Sequence, residues 1–135
     1  MGPEPRGQNL KEGRTVTLLA EMGSDLAGYA SLHHNEVTWQ HHLGEIRIQV
    51  GSRYRSQGLG RILAGEVFAV ARDLRLRKIV AQMTPDQKGA IATFEHLGFR
   101  TEVLLQDFVI DRTGRTRDLM VMTYDVPGFS ENVNW

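Results

Sequence analysis

The stretch Gln49-Val50-Gly51-Ser52-Arg53-Tyr54-Arg55-Ser56-Gln57-Gly58-Leu59-Gly60 constrains this chain more than any other. An alternating run, Gly44 to Val50, precedes it and an amphipathic run from Arg61 to Leu76 follows, so a strand gives way to a glycine-rich turn and then a helix. Such a turn strings backbone N–H groups together with no bulky side chains in the way. The helix start adds unpaired donors and the positive end of its dipole. The combination suits a phosphate. Leu63 stands where a dinucleotide fingerprint needs its third glycine, and no Gly-Lys-Ser or Gly-Lys-Thr occurs, so neither of those phosphate motifs applies. Without a ligand, Gly58 and Gly60 would serve as a tight strand-to-helix turn.

Patterning on either side of this stretch sets the remaining elements. Val16, Leu18, Ala20 and Met22 alternate on one face, and a Gly23-Ser24-Asp25 turn leads into Leu26 to Leu32, which predicts a hairpin. In the strand before the glycine turn, Ile46, Ile48 and Val50 point one way and Glu45, Arg47 and Gln49 the other. Leu59, Ile62, Leu63, Val67, Val70, Ala71 and Leu74 recur at helical spacing. Lys78 to Met83 reads as a buried strand, parallel to the one before the turn because a helical crossover joins them. Thr84-Pro85-Asp86-Gln87 has the form of a capping box with Pro at the first helical position, and the helix it opens carries Ala90, Ile91, Phe94 and Leu97 before stopping at Gly98. A last hairpin runs Phe99 to Ile110 and Arg115 to Asp125 around Asp111-Arg112-Thr113-Gly114, with Phe108, Met120 and Met122 as core candidates.

The chain of 135 residues is long enough for one domain, and its 16 basic and 16 acidic residues cancel, so no global field argues for nucleic acid or a membrane surface as partner. There is no cysteine, hence no disulfide framework, thiol nucleophile or cysteine zinc site. No signal peptide precedes the domain and no apolar run approaches the roughly 20 residues needed to span a bilayer, so the chain is expected to be cytoplasmic. Residues 1–14 read as a disordered leader and 127–135 as a loose tail in which Phe129 and Trp135 could pack; 15–126 is the folded domain. His33, His34, His41 and His42 raise the question of a metal, but no cysteine or regular carboxylate spacing accompanies them, and they read as a solvated hairpin loop.

Val50, Arg55, Gly58 and Gly60 fit the pyrophosphate loop of the GCN5-related N-acetyltransferases (GNAT), Val-x4-Arg/Gln-x-x-Gly-x-Gly/Ala, and the Leu-Gly-Phe ending of the segment Gly89 to Phe99 looks like that family's second motif. The chain resembles this family over roughly 15–126. The resemblance implies an α/β fold with a mixed sheet, the acyl-CoA N-acyltransferase-like fold, shortened at its start by the usual opening strand and helices. It also implies transfer of an acetyl group from acetyl-CoA, without a metal, to an amine acceptor by direct attack in a ternary complex.

By the same resemblance, backbone from Ile48 through Gln49 to Val50 would pair with the pantetheine arm and lend an N–H to the thioester oxygen. Arg55, Ser56, Gln57, Gly58, Leu59, Gly60 and Arg61 would hold the pyrophosphate. Glu45 occupies a strand position where several members carry a glutamate base; its other reading is a solvated carboxylate paired with Arg47. Phe94 stands at the family's usual general-acid tyrosine and cannot donate a proton, which leaves water or Tyr54, Tyr124 or His96 for that task. Gln87 sits where an asparagine commonly bonds the pantetheine, although the capping-box role fits it better. A non-catalytic acyl-CoA-binding or regulatory module is the alternative. Because a parallel strand pair normally has both faces covered, a homodimer is expected, packed through Thr15 to Leu32 or Val103 to Tyr124.

Overall fold

The computed structural model describes residues 4–9, as a backbone path, together with 14–34 and 39–126. Its elements run β1 (Glu4–Asn9), β2 (Arg14–Met22), β3 (Asp25–His34), β4 (Leu43–Val50), α1 (Leu59–Asp73), β5 (Lys78–Met83), α2 (Lys88–His96), β6 (Arg100–Ile110) and β7 (Thr116–Asp125). The strands form one sheet in the order β1-β2-β3-β4-β5-β7-β6, antiparallel except where β4 meets β5. That parallel pair is the one place where a helix, α1, must carry the chain back over the sheet. This is the expected mixed α/β fold.

Strand alternation sorts side chains between two faces. One face carries Leu18, Ala30, Leu32, Ile46, Ile79, Ala81 and Met122, buried under Leu63, Val67 and Ala71 of α1 and Phe94 of α2 in a single core. Rings add to this core: Phe68 of α1 stacks on Tyr124 of β7 with centroids 4.7 Å apart, and Phe94 of α2 meets Phe99, just before β6, edge-on at 4.9 Å. The opposite face carries Thr15, Thr17, Ser31, His33, Glu45, Arg47 and Gln49, aligned by the β2-β3-β4 register. Among the described residues no helix covers it.

Several expectations need correction. Part of the leader is ordered, since β1 pairs along β2 from Glu4 opposite Leu19 to Asn9 opposite Arg14. An edge strand adds through main-chain hydrogen bonds and needs no apolar side chains, which is why composition misread it. The described residues therefore do include a strand before the first hairpin, while no helix precedes β4 among them. His33 and His34 belong to β3, and His34 is buried rather than part of a solvated loop. Pro85 stands outside α2: Thr84 to Gln87 form a separate turn, closed by the Gln87 N–H on the Thr84 carbonyl at 3.0 Å, and the helix starts at Lys88. Phe108 is 61% exposed, not core. β6 changes register between Leu105 and Val109, with Asp107 at φ 49°, and this bulge turns Phe108 outward. Of the tail, 127–135, Phe129 and Trp135 lie outside the described residues.

Candidate functional site

The site begins where the parallel pair ends. β4 and β5 pair only from Leu43 opposite Lys78 to Glu45 opposite Val80. Beyond that point β4 stays with β3 as far as Val50, and β5 stays with β7 as far as Met83. The two strands diverge, so the β5-facing side of Ile46 to Val50 has no strand partner. A cavity of about 350 Å³ fills the gap. It runs through the sheet: Ile46, Ile48, Ala81, Met83, Ala90 and Phe94 line it from the helical face, and Tyr29, Glu45, Arg47, Gln49 and Gln82 from the open one.

The glycine turn follows directly on the free strand segment. Its first half is pinned to β3, with the Gly51 N–H on the Ala27 carbonyl at 2.8 Å and a short 3-10 turn over Ser52–Tyr54. The Tyr54 hydroxyl donates to Asp25 at 3.0 Å, and Arg53 lies 3.5 Å from the same carboxylate. That hydrogen bond, more than any other influence, holds the Tyr54 phenol above its ordinary pKa. Arg55 turns back to donate from Nε to the Val50 carbonyl at 3.2 Å, and Gln57 donates to the Arg53 carbonyl at 3.3 Å. Gly58, at φ 80°, caps α1 with no side-chain partner, a left-handed conformation that suits glycine best.

A Cβ on Gly58 would meet nothing within 4 Å, and one on Gly60 only Val50 at 3.9 Å, so the space over the helix start is open. The N–H groups of Leu59, Gly60 and Arg61 open the helix, where intrahelical acceptors are lacking; the Ile62 N–H already bonds the Gly58 carbonyl at 3.1 Å. Ser56, at φ 65°, joins the positive-φ positions of this turn.

Glu45 lines the cavity 3.6 Å from Arg47, so the pairing read as an alternative to catalysis is present alongside access to the cavity. Gln87 closes the turn before α2 and lines the cavity. Its Oε1 accepts the Thr84 N–H at 2.9 Å within that turn, so the expected capping box on α2 does not form, because the helix starts one residue beyond Gln87. Beside it, hydrogen bonding from Thr84, with help from Arg117 at 2.8 Å, holds Asp86 below the usual carboxylate range. Arg117 also reaches Asp111 at 3.5 Å and so ties the turn before α2 to the last hairpin.

Phe94 lines the cavity and is buried, with no proton to offer. The three substitutes named from sequence lie elsewhere. Tyr54 is bonded to Asp25, Tyr124 is stacked on Phe68 and Phe99, His96 is exposed on α2, and none lines the cavity. Tyr29 does line it, opposite Gln49 in the β3-β4 register, and so does Gln82. Sequence reading passed over both. The signal for Tyr29 was its parity along β3, which puts it on the face of Ser31 and His33. His41 and His42 sit in the turn before β4, where burial, the largest influence, and then neighbouring His41, Arg77 and Lys78 push the His42 pKa down. Among the described residues no three His, Asp or Glu side chains gather as a metal site, and no helix is long and apolar enough to cross a membrane.

Residues 3–99 match the family model described as Acetyltransferase (GNAT) family. No curated protein matches the chain. Among solved structures, the ribosomal-protein-alanine N-acetyltransferase from Brucella melitensis is 27% identical with a TM-score of 0.75, covering 82% of this chain and 68% of its own. A GNAT-family acetyltransferase from Streptococcus pneumoniae is 23% identical with a TM-score of 0.76, over 83% of this chain and 67% of its own. The yncA protein from Salmonella typhimurium, solved with its cofactor acetyl-CoA, is 23% identical with a TM-score of 0.73, over 83% of this chain and 65% of its own. This chain thus spans about two thirds of the length of each.

Proposed function

The chain belongs to the acetyltransferase (GNAT) family, and on that premise we propose that it moves an acetyl group from acetyl-CoA to an amine by direct attack in a ternary complex. The observation that carries this reading is the divergence of β4 from β5, which leaves a slot beside free strand backbone that leads straight into a glycine-rich helix start. The pantetheine arm would lie along Ile48 to Val50 as an added strand, and the pyrophosphate would sit on the N–H groups from Arg55 to Arg61. The cavity residues Gln87 and Phe94 would flank the arm.

In the reaction Glu45 takes a proton from the ammonium, and the neutral amine attacks the thioester carbonyl carbon. A backbone N–H of the free strand steadies the oxyanion. The C–S bond then breaks, the departing thiolate takes a proton from water or from the Tyr29 hydroxyl, the phenol that lines the cavity, and the nitrogen's remaining extra proton returns to that water or phenolate, so that one proton passes in net from nitrogen to sulfur. Much of the acceleration comes from holding the amine and thioester together. The enzyme would act in the cytoplasm as a homodimer, joined along β6, an edge strand with Val103, Leu104, Phe108 and Ile110 exposed. Such an interface should bury at least roughly 1,000 Å².

One observation favours a second reading, an acyl-CoA-binding module without catalysis: a buried phenyl ring, Phe94, where a proton donor would serve. Two measurements decide. Acetyl-CoA at about 100 times its Kd should stabilise the fold by about 2.7 kcal/mol, seen as a rise in Tm. Thiol release from acetyl-CoA should then require an added amine. No stabilisation by acetyl-CoA would overturn both readings, and stabilisation without turnover on any amine would leave the binding module.

A further inference from the structure

Behind the donor cavity lies a second one, of about 200 Å³, lined by His33, His34, Gln40, Leu43, Gly44, Glu45, Val80 and Gln82. It shares Glu45 and Gln82 with the first. Glu45 sits at the last paired position of the parallel ladder, opposite His33 on one side and Val80 on the other, so its carboxylate forms part of the wall of both spaces. A group held in the smaller cavity is one side chain away from whatever occupies the larger. Resting on the acetyl-transfer reading above, we propose that the smaller cavity is the acceptor subsite and that it admits an unbranched primary alkylamine with no carboxylate beside the nitrogen.

The lining argues for that class on three counts. First, the space is small, about 200 Å³ against about 350 Å³ for the donor cavity, which suits a short chain with little branching. Gly44 narrows it no further, because a Cβ there would point at Leu32 and Leu76 in the core. Second, the polar groups suit an amine. The Glu45 carboxylate and the Gln82 amide oxygen can accept its N–H bonds, and His33, held by Thr15 Oγ1 at 2.8 Å, fixes the flank. Leu43 and Val80 present apolar surface to the methylenes. Third, Glu45 is the one carboxylate in the lining and its partner Arg47, 3.6 Å away, stands outside this cavity, so an amino acid would bring its own carboxylate against Glu45 with no lysine or arginine of the lining to meet it.

The test uses the full chain, acetyl-CoA, and n-butylamine against norvaline, which adds a carboxylate to the same kind of chain. Titration calorimetry with acetyl-CoA establishes the donor site separately. Thiol release should favour n-butylamine by at least tenfold in kcat/KM. Val80→Phe, which fills the smaller cavity without lining the larger, should keep acetyl-CoA affinity within about twofold while raising the n-butylamine KM at least tenfold. Equal use of the two amines, no use of either by protein that binds acetyl-CoA, or a Val80→Phe chain with normal acetyl-CoA affinity and an unchanged KM would each overturn the acceptor assignment and leave the donor reading standing. If Val80→Phe fails to fold, the amine comparison on the wild-type chain decides alone. Failure of the wild-type chain to bind acetyl-CoA overturns the donor reading and this assignment with it.

Discussion

The two faces of the sheet obey different rules. On the helical face nearly every contributing side chain is apolar and buried: Leu32, Ile46, Leu63, Ile79 and Met122 are each no more than 2% exposed. On the other face the same strands present Tyr29, Ser31, His33, Glu45, Arg47 and Gln49, partly open to solvent and engaged in few contacts. Alternation along a strand makes this division possible, because a change on one face leaves its neighbour on the other in place. The helical face accounts for why the chain folds, and on the proposed function the open face and the glycine turn would carry the chemistry. Substitutions should therefore separate stability from activity according to face.

The sharpest separation should come from Glu45→Gln, which keeps shape and removes the base. We expect kcat on an active amine to fall by about 10²- to 10⁴-fold with Tm little changed, read by thiol release and thermal melting. An unchanged rate and pH profile would return Glu45 to its role as Arg47's partner. Leu63→Ala should do the opposite, with about 2–5 kcal/mol of stability lost through burial and cavity terms while the surviving folded fraction turns over normally. Denaturant titration measures it, and a loss below about 1 kcal/mol would mean the core collapses around the gap.

A smaller effect is expected at the turn between the faces. Gly60→Glu should weaken acetyl-CoA at least tenfold by calorimetry, because it puts a bulky anion where the pyrophosphate would sit. The fold should tolerate the change, since the added Cβ meets only Val50 at 3.9 Å. Unchanged affinity would detach the cofactor from this turn. Least in size is an acid effect. Hydrogen bonds from Thr123 to Glu102, from Thr113 to Asp111 and from Thr84 to Asp86 are the leading causes that hold these carboxyls below their usual range. Their stabilisation is therefore present above the unfolded carboxylate range, near pH 4, and is lost as pH falls through the depressed folded values. Tm should sag below about pH 4 by a few degrees, and Asp86→Asn should remove part of the sag. None of the three groups is buried, so a steep collapse would point to other carboxyls.

Sequence made the helical face legible almost in full, because burial imposes periodicity. Val16 to Ala20, Ile46 to Val50 and most of the stripe from Leu59 to Leu74 announce their element and its inward side, whereas Met22, beyond the register shift at Ala20 and Glu21, and Ile62 in the helical stripe are exposed. Gly58, Gly60 and Glu45 were legible for a related reason, since turn chemistry and strand parity are local. What periodicity does not carry is pairing length. Nothing in Lys78 to Met83 says that β4 lets go of β5 after Glu45, so the cavity and its walls at Tyr29 and Gln82 waited for the structure. Edge strands hid for a second reason. β1 contributes backbone pairing without apolar residues, and the bulge at Asp107 breaks the alternation that would have shown Phe108 facing out.

The divergence of β4 from β5 also bears on how this protein coexists with its neighbours in a crowded solution. Unpaired strand backbone is adhesive, and proteins that expose it on their rims risk templating onto one another. Here the stretch from Ile46 to Val50 is such an edge, yet it lies in the middle of the sheet, at the bottom of a cleft of about 350 Å³. A slender chain can reach it, whereas the rim of another folded sheet, with side chains projecting above and below, cannot. On the proposed function, the same recess that would admit the pantetheine arm is too narrow for the edge of a second sheet.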